Sequence, residues 1–414
     1  MVQIRSSNST LSGPLSFLHG WKAPLSHPDI QIGQLSPTGY KELYDLGFTL
    51  RARYPKLYRE GQDFYVWANN YTRVLQSAQA FVRGYIGANS SLQGHIVSVN
   101  GRGMPAHLGD TLAPSDMCPS FRDDSDHQQH VWRSQWLPGF IRRRSKFISG
   151  TLELDDAQWA DFPYLCGFES QITGFLSPFC NTLTDTELAQ YEYLQDLRYY
   201  YGLGPAAHVS SKMMVPFLRA TMDLFRHGPG IRGRNLVDGT HFRVPDLLTS
   251  FLNDGQLNQL VVASGIFDDE SRLPLDHMRS DRLWRSSHIS PMRGTIAFER
   301  LRCTVPVPRA EAAHAVIVAR DQVQPDAAAA ALHTNGTFVR ILLNNAIYPV
   351  PGCQDGPGRS CSLDEYMAYL SRKLHQNGSF ADICNATDPA TPKVALGASF
   401  FTNLAQAHVQ VLKA

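Results

Sequence analysis

The chain has 414 residues, of which 43% are apolar and 10% aromatic, a globular composition long enough for one large domain or two. A formal net charge of +1 gives no global electrostatic reason to expect nucleic acid or an anionic membrane as partner. No apolar run approaches the roughly 18 residues needed to cross a bilayer.

In chain order, Ser36 can cap a helix and Pro37 at its first position loses no needed N–H; the face Tyr40, Leu43, Tyr44, Leu46, Phe48 and Leu50 carries that helix to Pro55. Phe64–Trp67 reads as a short buried strand, followed by a helix over 72–85. The stretch from about 90 to 165 reads as loop-rich, with the polar cluster Arg122–Asp126. Thr184-x-x-Glu187 is a capping box for a helix reaching Tyr199–Tyr201 and stopping at Gly202. Leu247–Leu252 predicts a strand, Asn253-Asp254-Gly255 a turn, and Gln256–Ala263 a helix. Gly294–Cys303 and Phe338–Val350 predict strands, the second bent at Asn344-Asn345; the Ala-rich run Ala327–Ala331 between them is short. A helical middle between strand-containing halves indicates a mixed α/β protein with a helical insertion.

Seven cysteines stand at Cys118, Cys166, Cys180, Cys303, Cys353, Cys361 and Cys384, none in C-x-x-C spacing, so a zinc or thioredoxin-type motif has no local support. Sequons begin at Asn8, Asn70, Asn89, Asn335, Asn377 and Asn385. Together these predict a secreted or secretory-pathway glycoprotein. Met1–Arg5 opens no apolar signal-peptide core, and one cysteine is left over; both are expected if residues upstream of Met1 are missing.

Five segments in register resemble the fungal phytase and acid phosphatase branch of the histidine acid phosphatases. They are Gly13–Leu18 with Leu35-Ser36-Pro37-x-Gly39; Cys166 to Cys180 with Tyr193–Leu197; Asn253-Asp254-Gly255 with Gly265-Ile266-Phe267; Trp284-x-x-Ser287 through Cys303; and Leu343–Ala346 with Pro349, Cys353 and Cys361. The resemblance implies a phosphoglycerate-mutase-like α/β fold, a mixed sheet flanked by helices with an inserted, mostly helical cap. The expected division is 1–85 and 231–414 for the α/β part and 86–230 for the cap. The resemblance also implies the disulfides Cys118–Cys384, Cys166–Cys180 and Cys353–Cys361, leaving Cys303 without a partner. No cofactor and no metal are implied.

Family members attack phosphorus with the histidine of an RHGxRxP motif, cradle the phosphate with arginines, and use an HD dipeptide as oxygen ligand and general acid. The sequence contains no RHGxRxP. Arg226-His227-Gly228 matches only its first residues and reads as a helix end. Where the resemblance places an arginine at the strand end, Trp67 stands and is expected to wall the pocket; Arg73 aligns with a later family arginine. HD becomes Asn253-Asp254, in which Asp254 keeps the capacity of a general acid.

Asp123, Asp124, Asp126, His127 and His130 read as a solvated loop rather than a metal site, Arg142–Arg144 with Lys146 as a solvent-facing basic turn, and Ser286-Ser287-His288 gives no support for a hydrolase triad. These substitutions predict a protein that has lost phosphomonoesterase activity and binds or transforms a non-phosphate small molecule, possible steps being cyclisation, isomerisation, dehydration or hydrolysis, in a specialised-metabolite setting. The alternatives are a secreted acid phosphatase or phytase, or a catalytically dead binding glycoprotein.

Overall fold

The computed structural model describes residues 8–235, 239–306, 333–394 and 397–414. Ala327–Ala331 and Met1–Arg5 lie outside the described residues. The architecture is a mixed α/β fold, as the sequence pattern indicates.

Its central sheet begins with β1 (Phe64–Asn69) and β2 (Gly94–Val99), parallel from Phe64↔Gly94 to Asn69↔Val99. The short β3 (Ser250–Phe251) pairs parallel with β1 on the other side. A second sheet is built on a long antiparallel pair, β4 (Ile296–Pro306) and β5 (His333–Leu343). The chain then turns at Asn344 and Asn345, which adopt φ 49° and 71°. This is the left-handed region that Asn tolerates better than other side chains, and it explains the bend anticipated there. Finally β6 (Val409–Lys413) returns antiparallel along β2, giving the order β6-β2-β1-β3.

The alternation of β1 decides which side chains meet which layer. Phe64, Val66 and Ala68 join one core cluster with Ile96 and with Val74, Ala78 and Phe81 of helix α2 (Thr72–Ile86). Trp67 points the other way, into a larger cluster with Val97, Phe400 and Phe401. Helix α1 (Pro37–Arg53) covers the first cluster from outside, its Ser36 hydroxyl accepting from the Gly39 N–H at 3.0 Å. The two helices approach closely at Gly47 and Gly84: a Cβ on Gly47 would lie 2.2 Å from the Phe81 carbonyl, and one on Gly84 2.0 Å from that of Tyr44.

The 90–165 region departs from the loop-rich expectation. Helix α3 (Asp126–Arg144) contains Pro138, and α4 (Asp156–Thr173) contains Pro163. Interior prolines and weak periodicity hide both helices from sequence reading. Helix α5 (Asp185–Gly202) starts on the anticipated Thr184–Glu187 capping box. Of the basic turn, Arg142, Arg143 and Lys146 are exposed as expected, but Arg144 is not. Arg144 is fully buried and forms a two-pronged ion pair with Glu187, Nη1–Oε1 and Nη2–Oε2 both at 2.8 Å, and Arg143 adds two further bonds, from Nε to Oε1 at 3.0 Å and from Nη2 to Oε2. Helix α6 (Val215–His227) ends at Gly228, φ 81°, with Arg226 and His227 in its last turn, the helix-end geometry expected for that decoy. Helix α7 (Asp254–Ser264) and helix α8 (Leu363–Asn377) complete the packing.

The three disulfides Cys118–Cys384, Cys166–Cys180 and Cys353–Cys361 are formed, and Cys303 is a free thiol on β4.

Candidate active site

Two helices rise from the carboxyl ends of neighbouring parallel strands: α2 follows β1 and α7 follows β3. Both therefore turn their N-termini, with unpaired N–H groups and the positive end of the macrodipole, toward the same edge of the sheet. This edge is where an open α/β sheet binds ligand, and the arrangement favours an anion.

Arg73 is the second residue of α2 and is exposed; its guanidinium lies 5.5 Å from the Tyr71 ring centroid. Tyr71 is in turn anchored by its hydroxyl, which donates to Asp116 Oδ2 at 2.8 Å. Among the described residues Arg73 forms no salt bridge, so its charge is available to a ligand.

Asn253 and Asp254 stand at the cap and first position of α7. The Asn253 side-chain oxygen accepts from buried Asn69 Nδ2 at 3.4 Å, a link between the ends of β3 and β1. Asp254 is exposed, and its Oδ2 accepts from the Tyr199 hydroxyl at 2.5 Å. Burial, reinforced by the Asp254 charge, drives the Tyr199 phenol well above its ordinary value, so it stays a proton donor. Arg198 Nη1 donates to the same hydroxyl at 3.2 Å, and its Nη2 lies 3.6 Å from Asp123 Oδ2. Asp123, read as part of a solvated loop, is thus the counter-charge of Arg198; burial raises its carboxyl against that pull.

Trp67 does not wall this site. It is 0% exposed, its Nε1 donates to the Phe400 carbonyl at 3.0 Å, and its ring meets Phe401 edge-on. The physical reason is strand parity: position 67 faces the interior cluster, whereas the residues beyond Asn69 reach the open edge. Tyr199, Arg198 and Asn69 escaped sequence reading, since only the fold brings α5 against the start of α7. A separate cleft of about 640 Å³, bordered by Arg122, Asp124, Tyr201 and Arg272, does not include Asp254 or Arg73 in its lining. Ser286, part of the Ser-Ser-His run, is committed to a structural role: its N–H and hydroxyl both bond buried Asp196, at 2.6 and 2.8 Å.

The model of the histidine phosphatase superfamily (branch 2) matches residues 2–344. The chain belongs to that family. It is 27% identical over 405 residues to acid phosphatase PHO1 of Komagataella pastoris, covering 94% of this chain and 75% of the relative. To phytase PHO112 of Candida albicans it is 23% identical over 381 residues, covering 90% and 73%. The crystal structure of the phytase from D. castellii superposes with a TM-score of 0.76 at 20% identity, covering 97% of this chain and 78% of that one, a likeness of fold.

These relatives overturn the expectation of a protein that has abandoned phosphate for another small molecule. The matches run through nearly the whole chain and carry the names acid phosphatase and phytase. The expectation rested on Trp67 and Asn253 as replaced phosphate-handling residues, with the absent RHGxRxP as weaker support, and Trp67 is a core residue whose ring faces away from the open edge.

Proposed function

We propose that this protein hydrolyses phosphomonoesters, as an acid phosphatase or phytase. The reading is carried by the placement of Arg73 and Asn253-Asp254 at the N-termini of two helices that follow neighbouring parallel strands, in a chain whose relatives bear those names. Arg73 and the N-terminal N–H groups of α2 and α7 would hold the phosphate oxygens. Asp254 would protonate the departing alcohol oxygen, held in place by Tyr199, and Asn253 would offer its amide as a neutral donor. The attacking group is not assigned, because the sequence has no RHGxRxP histidine.

The secretory pathway is the compartment this reading favours. Three disulfides support it, as do exposed side chains at Asn8, Asn70, Asn89, Asn335 and Asn385 and a half-exposed one at Asn377. A cap formed by residues 86–230 over an α/β part formed by 1–85 and 231–414 is proposed with it. Among the described residues no helix is long and apolar enough to cross a membrane.

The test is phosphate release from p-nitrophenyl phosphate and from inositol hexakisphosphate at acidic pH, with Arg73→Ala and Asp254→Asn alongside. Turnover that both substitutions depress is expected. A folded protein that releases phosphate from neither substrate would overturn the reading.

A further inference from the structure

Behind the carboxyl end of β2 lies a buried group that the phosphatase reading does not use. His107 and Asp110 come from the loop after β2, and His408 immediately precedes β6, so antiparallel pairing of β6 with β2 delivers it to the same place. The anchor is direct: the Asn100 N–H donates to the His408 carbonyl at 2.8 Å. Asp110 is 0% exposed and His408 3%. The two imidazoles lie with ring centroids 4.0 Å apart, and His408 Nε2 is 3.8 Å from Asp110 Oδ2, too far for a hydrogen bond.

Among the described residues neither ring nitrogen of His408, nor Nδ1 of His107, has a partner of full hydrogen-bond geometry. Leaving such groups unpaired in the interior is costly, so their convergence asks for a partner. An imidazole nitrogen left without a partner in this way is the commonest kind of metal ligand. Asp110 is already oriented, its two oxygens accepting from the Ser399 N–H at 2.7 Å and from the Ser399 hydroxyl. Such a carboxylate keeps further lone pairs for a cation, and Ser399 has the place of an orienting outer partner.

We propose that His107, Asp110 and His408 form a binding site for a divalent transition-metal ion of the zinc class. Two imidazoles and one carboxylate are a zinc donor set, with a fourth position left for water. Tetrahedral zinc places its ligand atoms about 3.4 Å apart, while the three candidate atoms lie within 4.8 Å of one another, so a closing movement on the order of 1 Å completes the site. Its effect would be structural: the ion would tie the 100–118 loop, which carries Cys118 and Asp116, to the C-terminal segment at Ser399–His408. Among the described residues the other cluster of metal-ligating side chains, Cys353, Cys361 and Glu365, has its two sulfurs bonded to each other and is not a competitor.

The experiment measures zinc in the purified full protein by elemental analysis after exposure to zinc and dialysis, and follows the melting temperature with zinc added or chelated. One equivalent per chain, a melting temperature that rises with zinc, and a cobalt(II) visible spectrum of low coordination number are expected. Asp110→Asn and, at the least buried ligand, His107→Ala should abolish all three; Ser399→Ala should weaken zinc affinity about 10–100-fold. His107→Ala serves if the buried substitution prevents folding. Absence of stoichiometric zinc in the folded protein, or equal uptake by wild type and His107→Ala, overturns the proposal.

Discussion

The Tyr199 hydroxyl donates to Asp254 Oδ2 at 2.5 Å, joining the last turn of α5 to the first residue of α7, the helix that follows strand β3. That bond fixes one oxygen of the carboxyl and leaves the other free to meet a leaving group. If Asp254 is the proton donor, its loss should matter most where the departing oxygen is a poor leaving group. Asp254→Asn is therefore expected to slow hydrolysis of an alkyl phosphate about 10²–10⁴-fold but that of p-nitrophenyl phosphate much less. Parallel rate measurements on the two esters decide it; equal losses on both would remove the proton-donor role. Tyr199→Phe should show the same pattern, weaker.

Arg73 is expected to separate binding from folding. Its side chain is exposed and, among the described residues, forms no salt bridge, lying over the Tyr71 ring, so Arg73→Ala should leave the stability within about 0.5 kcal/mol of wild type. Its activity should nevertheless fall by at least tenfold, because a charge-assisted hydrogen bond to phosphate contributes about 1.5–3 kcal/mol. Arg73→Lys should recover only part, since an ammonium cannot grip two oxygens as a guanidinium fork does. Unchanged kcat/KM in both variants would place the phosphate elsewhere.

Trp67 should behave in the opposite way. Trp67→Ala removes a fully buried ring and leaves the Phe400 carbonyl without its donor, which predicts a loss of about 3–5 kcal/mol in urea unfolding. Trp67→Arg should be worse, because it buries a charge among Val97, Phe400 and Phe401. A stable Trp67→Arg protein with raised phosphatase activity would instead restore the strand-end arginine as the missing ligand.

This contrast also marks what the sequence could and could not disclose. The capping box at Thr184, the helix after Ser36 and the Asn344-Asn345 bend were legible because each is a local device, fixed by residues within one turn of one another. The position of Asp254 between a strand and a helix N-terminus was legible because it survives in the linear order. Trp67 was misread because residue type at a strand end says nothing of which face the pleat assigns it. Helix α3 was missed because Pro138 breaks the local pattern while tertiary packing of Trp132, Trp136 and Phe140 holds the helix. Tyr199 beside Asp254, and His408 beside Asp110, are separated by long stretches of chain, so only the assembled fold shows them.

The ion pair of Arg144 with Glu187 predicts how the protein tolerates the acidity at which an acid phosphatase works. Burial pushes the Glu187 carboxyl up, but hydrogen bonds from Arg144, Arg143 and the Thr184 backbone outweigh it and hold the group at about 2, against an ordinary 4.5. A carboxyl depressed in the folded state stabilises it fully above the unfolded value. That contribution is lost as pH falls from about 4.5 toward 2. Its size is at most about 3 kcal/mol, reduced by solvent screening around the 10% of the side chain that remains accessible. Glu187→Gln should thus be destabilised by about 2–4 kcal/mol at pH 7, because Arg144 is left buried without a counter-charge. The gap to wild type should hold down to about pH 5 and narrow by pH 3, as the wild type surrenders the same interaction. Urea denaturation of both proteins at pH 7, 5 and 3 measures it, and a gap that stays constant across that range would show that Glu187 does not titrate against Arg144.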